Sequence, residues 1–415
     1  MLKEDLRAGI AAVGAGRLLG LAALGFAVLF SYEVARPTVE SLYQDAYGSE
    51  NEPWAWLGVA IAVTFVVSIY GRFAARIPLH RLFGMVTLVS GVVLSFLLLA
   101  HENEIKGAPF ALYLWKDIYI VLLVEMFWSI ANSTFPHRAA KWLYGIFSCV
   151  GGIGAFAGGR FASWLAGERV GLESSLWWVC VILGVCYMLT RFLPQVEHTR
   201  EEKPAMDLFA GLKVVKNSQY LGLLLVIIAL TQVAITCVDY DFKIAVQAAY
   251  ADKLVRQGIL ADVYSIINVL ALVLGFVSGA IIQTVGLRRT FVGIPLLLGM
   301  AVLGFLVMPV FAVMVVAKVA SKAMDYSIFR AAKELLYLPL SQAEKTQGKA
   351  VVDMMTYRVA KGGASALLLA MKEASAAPRM ASLAGLVLIV FWFFLTKPVL
   401  ARYRARLTDG EAESD

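Results

Sequence analysis

The chain has 415 residues, of which 60% belong to the broad apolar set and only 16% are charged, with a mean hydropathy of +0.73. Soluble domains carry about 45–50% apolar and about 25% charged residues, so a soluble globule, a disordered chain, a collagen-like fibre and a disulfide scaffold are excluded together. The 37 Lys and Arg outnumber the 30 Asp and Glu, for a formal charge of +7. The basic residues fall in short gaps between apolar runs, which is the pattern that orients membrane proteins and not that of a nucleic-acid surface.

In chain order, apolar runs of bilayer length lie at 14–38, 54–71, 82–100, 115–135, 142–166 and 173–193, each near the ~20 residues that a spanning helix needs. A polar stretch follows, with Glu201, Glu202, Lys203, Asp207, Lys213 and Lys216. No hydrocarbon layer accepts it. Six more runs lie at 219–247, 263–285, 291–308, 310–332, 350–371 and 379–398. The expected fold is an all-α polytopic membrane protein of about twelve transmembrane helices. They form two six-helix bundles, 1–193 and 219–400, joined by a cytosolic linker at 194–218 and followed by a cytosolic tail at 401–415. Residues 1–7 are of mixed charge and no A-x-A cleavage context follows, so the first run is read as a retained span. Lys3, Arg7, Arg72, Arg76, Arg81, Arg138, Lys141, Arg288, Arg289, Arg402, Arg404 and Arg406 share one side if the spans alternate, which puts both termini in the cytoplasm. Basic turns follow both the second and the eighth run, Gly71-Arg72 and Gly286-Leu287-Arg288-Arg289. Two parallel six-span repeats are the arrangement of major facilitator transporters, whose substrate sits near the midplane.

Ionisable side chains inside such runs cost at least about 2.5–3.5 kcal/mol each on insertion scales, so each calls for a partner or a wet cavity. The first run ends with Tyr32, Glu33, Arg36, Pro37 and Glu40. In the fourth, Glu125, Trp128 and Asn132 recur at i, i+3 and i+7 and so share a face. Its indole and amide suit a flat ring and its polar edge, or else an interhelical hydrogen-bond patch. The seventh holds Asp239 and Lys243, the tenth Lys318, Lys322, Asp325 and Arg330, and Lys333 and Glu334 follow it directly. Asp239 with Lys243 and Arg330 with Glu334 are spaced for i,i+4 ion pairs. Basic groups exceed acidic ones near the expected cavity, which favours an anionic guest held by Arg and Lys.

Other chemistries lack their residues. Cys149, Cys180, Cys186 and Cys237 have no CxxC spacing, and His80, His101, His137 and His198 sit singly, so no metal site and no redox pair is expected. No GxxxxGK[ST] loop, GxSxG or HExxH occurs, so no ATP-driven engine, hydrolase or other enzyme is expected and no cofactor is implied. The glycine-rich 151–159 stretch lies in an apolar run with no strand before it. Its small residues are read as close helix contact.

The segment Lys322-Ala-Met-Asp325-Tyr326-Ser327-Ile328-Phe329-Arg330-Ala-Ala-Lys333-Glu334-Leu-Leu-Tyr337-Leu-Pro339-Leu340, followed by Gly348-Lys349-Ala350-Val-Val-Asp353, resembles the ATP/ADP translocase, or nucleotide transporter, family of plastids and intracellular bacteria. Phe127-Trp128-Ser129-Ile-Ala131-Asn132 and Ala140-Lys141-Trp-Leu-Tyr144-Gly145 are similar to a second pair of family motifs. The resemblance implies a facilitator-like carrier that exchanges nucleotides or related anions without hydrolysing them. It places Trp128, Asn132, Lys322, Lys333 and Glu334 in family motifs, and Arg36 at the end of the first helix. The chain departs from the family where Pro37, Thr38 and Val39 replace a charged cluster and where Arg330 replaces an aspartate.

The leading expectation is a secondary transporter of an organic anion, a nucleotide or phosphorylated metabolite, in the bacterial inner membrane. Arg36, Trp128, Asn132, Lys243, Lys322, Arg330 and Lys333 would contact the small-molecule substrate, while Glu125, Asp239, Asp325 and Glu334 would serve coupling or ion pairing. Two alternatives stand beside it: a proton-coupled facilitator for another solute, such as a cell-wall fragment or siderophore, and a non-transporting membrane partner or lipid-handling protein. Besides the bilayer no partner is implied, nucleic acid is not expected, and no oligomeric state is indicated.

Overall fold

A computed structural model describes residues 14–74, 76–135, 137–193, 208–341, 344–374 and 379–412. The described residues are helical, with no strand among them. In chain order the helices are α1 (Ala15–Tyr47), α2 (Glu52–Ala74), α3 (Leu79–Glu102), α4 (Ala108–Thr134), α5 (His137–Gly167), α6 (Leu172–Leu189), α7 (Leu208–Asn217), α8 (Gln219–Ala249), α9 (Lys253–Val285), α10 (Leu287–Val307), α11 (Phe311–Met324), α12 (Arg330–Leu336), α13 (Lys349–Glu373) and α14 (Met380–Ala412). A wide π-helical turn, Asp325–Phe329, joins α11 to α12.

Nine of these, α1, α2, α3, α5, α6, α8, α9, α10 and α14, are long and apolar enough to cross a membrane. The other three expected spans fall on α4, α11 with α12, and α13. The ionisable groups along them lower their hydropathy, as expected of helices that line something polar. At 1.5 Å per residue the 33 residues of α1 extend about 50 Å, well beyond a ~30 Å hydrocarbon layer. Pro37 lies inside α1 without ending it. Large apolar side chains such as Ile61, Phe96 and Val307 are 71%, 69% and 78% exposed. Apolar surface on that scale needs a lipid solvent.

The chain packs as two compact units, Met1–Thr199 with Val246–Val269, and Arg200–Ala245 with Leu270–Asp415. In the first, α1 is central and packs on α4, α5 and α6. The glycine-rich stretch serves this packing. A Cβ on Gly154 or Gly158 would collide with the carbonyl oxygen of Phe26 or Phe30, so the helices approach as closely as small residues permit. The segment Val246–Val269 joins this unit through hydrogen bonds to α1. Arg256 Nη2 donates to the Ser41 carbonyl at 3.2 Å, and Gln257 Nε2 to Thr38 Oγ1 at 2.9 Å.

In the second unit α10 packs on α11 and α14. Phe329, at the end of the π turn, stacks on Phe291 of α10 at 6.1 Å and meets Trp392 of α14 edge-on at 5.5 Å. These rings hold the widened turn in one register, as a bulge in mid-helix requires. Of the stretch expected as a linker, 208–217 forms the amphipathic helix α7.

Candidate functional site

The tenth expected span carries the second unit's charges, and the structure pairs them differently from the i,i+4 expectation. Asp239 accepts a hydrogen bond from, and forms an ion pair with, Lys318 of α11, a side chain with no exposed surface. Lys243 and Lys322 add their charge around the same carboxylate, and Lys243 is itself buried. The Asp239 carboxylate is thus shared, with Lys243 of its own helix and Lys318 and Lys322 of α11 around it. Two residues on, about 200° around the helix, Asp241 turns the other way and caps α14. Its Oδ2 accepts from the backbone N of Ser382 at 2.7 Å and from the Ser382 hydroxyl. A carboxylate there satisfies an orphan N–H and faces the positive end of the helix dipole.

Beyond this cluster lies a cavity of about 160 Å³. Its polar wall comes from Gln232 of α8, Asp325 and Tyr326 of the π turn, Arg330 and Lys333 of α12, and Asp353 and Tyr357 of α13. Asp325 Oδ1 accepts from Gln232 Nε2 at 3.2 Å. Lys333 Nζ donates to Asp353 Oδ1 at 2.8 Å, and the Tyr337 hydroxyl donates to the same oxygen at 3.0 Å. The expected Arg330–Glu334 pair does not form, because Glu334 Oε2 is taken by Lys349 Nζ at 2.6 Å. Arg330 makes no hydrogen bond and no ion pair among the described residues. Lys322, 8% exposed, likewise has no carboxylate within 4 Å among them, and its ammonium sits 5.7 Å from the Tyr326 ring. Lys322 is almost fully buried and shares the Asp239 charge with Lys318 and Lys243, whereas Arg330 is exposed beside the cavity.

The first unit places Arg36 differently. Its guanidinium lies 3.7 Å over the Tyr264 ring, with Glu40 at 3.5 Å and Glu33 at 3.8 Å. Glu40 also accepts from the Tyr264 hydroxyl at 2.6 Å and lies 4.0 Å from Lys116, which bonds Asp117 at 3.0 Å. Tyr32 donates to Asp117 at 3.1 Å, while Tyr113 donates to Glu52 at 3.0 Å and accepts from Trp56 at 2.9 Å. Arg36 therefore stands among carboxylates as a member of a buried network. Glu52, Tyr113, Lys116 and Asp117 were missed by sequence reading, since they sit at run ends where a charge looks interfacial.

The α4 stripe lies elsewhere in this unit. Asn132 Oδ1 accepts from the Tyr144 hydroxyl at 2.6 Å, and Trp128 meets the Tyr144 ring edge-on at 5.5 Å. Glu125 is exposed, with Tyr70 and Ser129 beside it. Trp128, Asn132 and Tyr144 thus form one aromatic and polar patch, which couples the motif segments 127–132 and 140–145.

At the end of the second unit, Arg406 of α14 grips Glu344 with both guanidinium nitrogens, at 2.7 and 3.0 Å. Burial alone would raise the Glu344 carboxyl. The hydrogen bonds from Arg406, Ser218 and the Ser341 backbone outweigh it and bring the group down to about 2.

Two helical units with charges concentrated on a few helices define the class, a polytopic membrane transporter of major facilitator architecture. Solved structures agree on the fold: a nucleoside transporter, NupG, superposes with a TM-score of 0.68 at 13% identity, covering 93% of this chain and 98% of its own. A bacterial homologue of the iron transporter ferroportin, inward-facing, gives 0.64 at 13% identity over 93% and 98%. The family model described as TLC ATP/ADP transporter matches residues 111–316 and 299–403, and the chain belongs to that family. It is accordingly a transporter and not an enzyme. Among curated relatives, ADP,ATP carrier protein 1 of Chlamydia muridarum is 23% identical over 91% of this chain and 86% of its own length. The plastidic ATP/ADP-transporter of Solanum tuberosum is 21% identical over 98% and 76%.

Proposed function

We propose that the chain is a secondary carrier that exchanges nucleotides across a bacterial inner membrane by alternating access, with both termini in the cytoplasm. The observation that carries this reading is the pair Lys322 and Arg330. They are cations of the α11–α12 segment with no carboxylate in direct contact among the described residues, and Arg330 lines a polar cavity. Guanidinium and ammonium groups recognise phosphoryl oxygens through charge-assisted hydrogen bonds, the former in bidentate geometry. A volume of about 160 Å³ is below the about 300–1,000 Å³ of pockets for drug-sized ligands, so it fits the phosphoryl end and leaves the nucleoside outside. The names of the relatives, ADP,ATP carriers of bacteria and plastids, support the same substrate class.

In this reading Lys322, Arg330 and Lys333 hold the anion. Arg36 is withdrawn from that group, because its charge is already met by Glu33 and Glu40. It orders the first unit. Lys243 and Asp239 belong to the charge cluster in which Lys318 is paired, and Glu334 ties α12 to α13. The test is uptake of labelled ATP into liposomes that contain the purified protein and are loaded with ADP. Uptake that requires internal ADP and survives collapse of the proton gradient supports exchange. Uptake that follows the gradient, or no uptake of any nucleotide, would end this reading.

A further inference from the structure

The Lys333–Asp353 pair has a geometry that structural ion pairing alone does not require. It stands in the wall of the cavity, with Lys333 and Asp353 side chains 19% and 29% exposed. Of the two donors on Asp353 Oδ1, the Lys333 ammonium at 2.8 Å is a group from which a phosphoryl oxygen accepts equally well, while the Tyr337 hydroxyl at 3.0 Å steadies the carboxylate. Arg330, beside them, has no ion partner among the described residues. One anionic oxygen already occupies the place where a substrate oxygen would go, and it is supplied by the protein. Lys333 and Tyr337 flank the last turn of α12 and Asp353 lies in the second turn of α13, so the contact also fastens one element to the other.

We propose that Asp353 is an internal counter-anion: it holds Lys333 while the site is empty, and a substrate phosphoryl oxygen displaces it, so that loading the site unfastens α13 from α12. This rests on the reading that the phosphoryl end of a nucleotide enters this cavity. Arg330 makes the first contact and Lys333 follows once Asp353 has left. Neither exchange leaves a cation without an anion, which a partly buried ammonium would resist. The Lys349–Glu334 contact, 2.6 Å, remains as the second fastening and keeps the elements in register. An empty carrier therefore stays fastened, and a loaded one is free to rearrange.

The experiment is equilibrium binding of labelled ATP to the purified full chain in lipid nanodiscs, for wild type, Asp353→Asn, Tyr337→Phe and Lys333→Gln. If Asp353 occupies Lys333 for about nine-tenths of the time, the competent fraction is about a tenth, and Asp353→Asn lowers the apparent Kd about tenfold. Tyr337→Phe keeps the ring and removes one of the two donors holding the carboxylate, so it lowers the Kd by a smaller factor. Lys333→Gln raises it, and adding Asp353→Asn to Lys333→Gln changes nothing further. Uptake by Asp353→Asn depends less on internal ADP than uptake by wild type, because the empty carrier is no longer fastened and can return unloaded. Unchanged or weaker ATP binding in both Asp353→Asn and Tyr337→Phe, with wild-type melting temperatures, would overturn the proposal. Should Asp353→Asn fail to fold, Tyr337→Phe decides alone. The same series is titrated with inorganic pyrophosphate. A protein that ignores ATP yet binds pyrophosphate more tightly as Asp353→Asn keeps the counter-anion and refutes the nucleotide; one that binds neither refutes both.

Discussion

Replacing Lys318 by Met probes the buried charges of the second unit. Lys318 has no exposed surface, its ammonium bonds Asp239, and the Phe242 ring lies 5.3 Å away. Methionine fills nearly the same volume, so the perturbation is electrostatic. Removing one partner of a buried pair costs about 3–5 kcal/mol because the other charge is left uncompensated. Here Lys322 and Lys243 remain near Asp239, which puts the loss at the lower end, about 3 kcal/mol. At about 2–4 °C per kcal/mol for units of 150–250 residues, the melting temperature in detergent falls by about 6–12 °C. Adding Asp239→Leu removes that stranded charge but takes the carboxylate away from Lys243 and Lys322, so the double variant recovers only part of the loss. A double-mutant cycle read by thermal melting and urea titration measures the coupling. If Lys318→Met melts within 2 °C of wild type, or if the double variant is less stable than the single one, the reasoning fails.

Two further outcomes follow from local geometry. The Glu344 carboxyl is held at about 2 in the folded chain, below its ordinary ~4.3. Its stabilisation, at most about 3 kcal/mol, is therefore complete above about pH 5 and lost as pH falls towards 2. A pH series of melting temperatures from 6 to 3 should show a smaller decline in Glu344→Gln than in wild type; equal slopes would contradict the Arg406 contact. Gly158→Val would drive a side chain into the main chain of Phe30, and overpacking of this kind costs about 1–3 kcal/mol. Gly145→Ala meets nothing within 4 Å and should be neutral or slightly stabilising, so thermal melting of both variants separates helix packing from helix propensity.

The spans were legible because a bilayer leaves only length and hydropathy to satisfy, and the expected runs fall on the observed helices. Helix ends were less so. α1 continues to Tyr47 because the polar side chains after residue 38 find partners inside the protein, and hydropathy cannot see partners. The same limit governs the charges. Spacing of i,i+4 identifies neighbours on one helix and is silent about a better partner on another. Asp239 chose Lys318 and Glu334 chose Lys349. Asp241 could not be recognised as a cap without knowing where α14 begins, and Asp353, which the sequence showed only within a motif, stands in the cavity wall. Residue types pointed to an anion site. Only packing separates cations already neutralised, such as Arg36, from those still available, such as Arg330.

That separation is also the most direct test of the account. Binding of labelled ATP to the folded protein should weaken at least tenfold, or about 1.4 kcal/mol, in Arg330→Gln and in Lys322→Gln. In Arg36→Gln, at temperatures where that variant remains folded, the affinity should stay within about threefold of wild type, a difference of about 0.7 kcal/mol. The opposite pattern, with affinity lost at Arg36 and kept at Arg330 and Lys322, would contradict the placement of the anion site in the second unit.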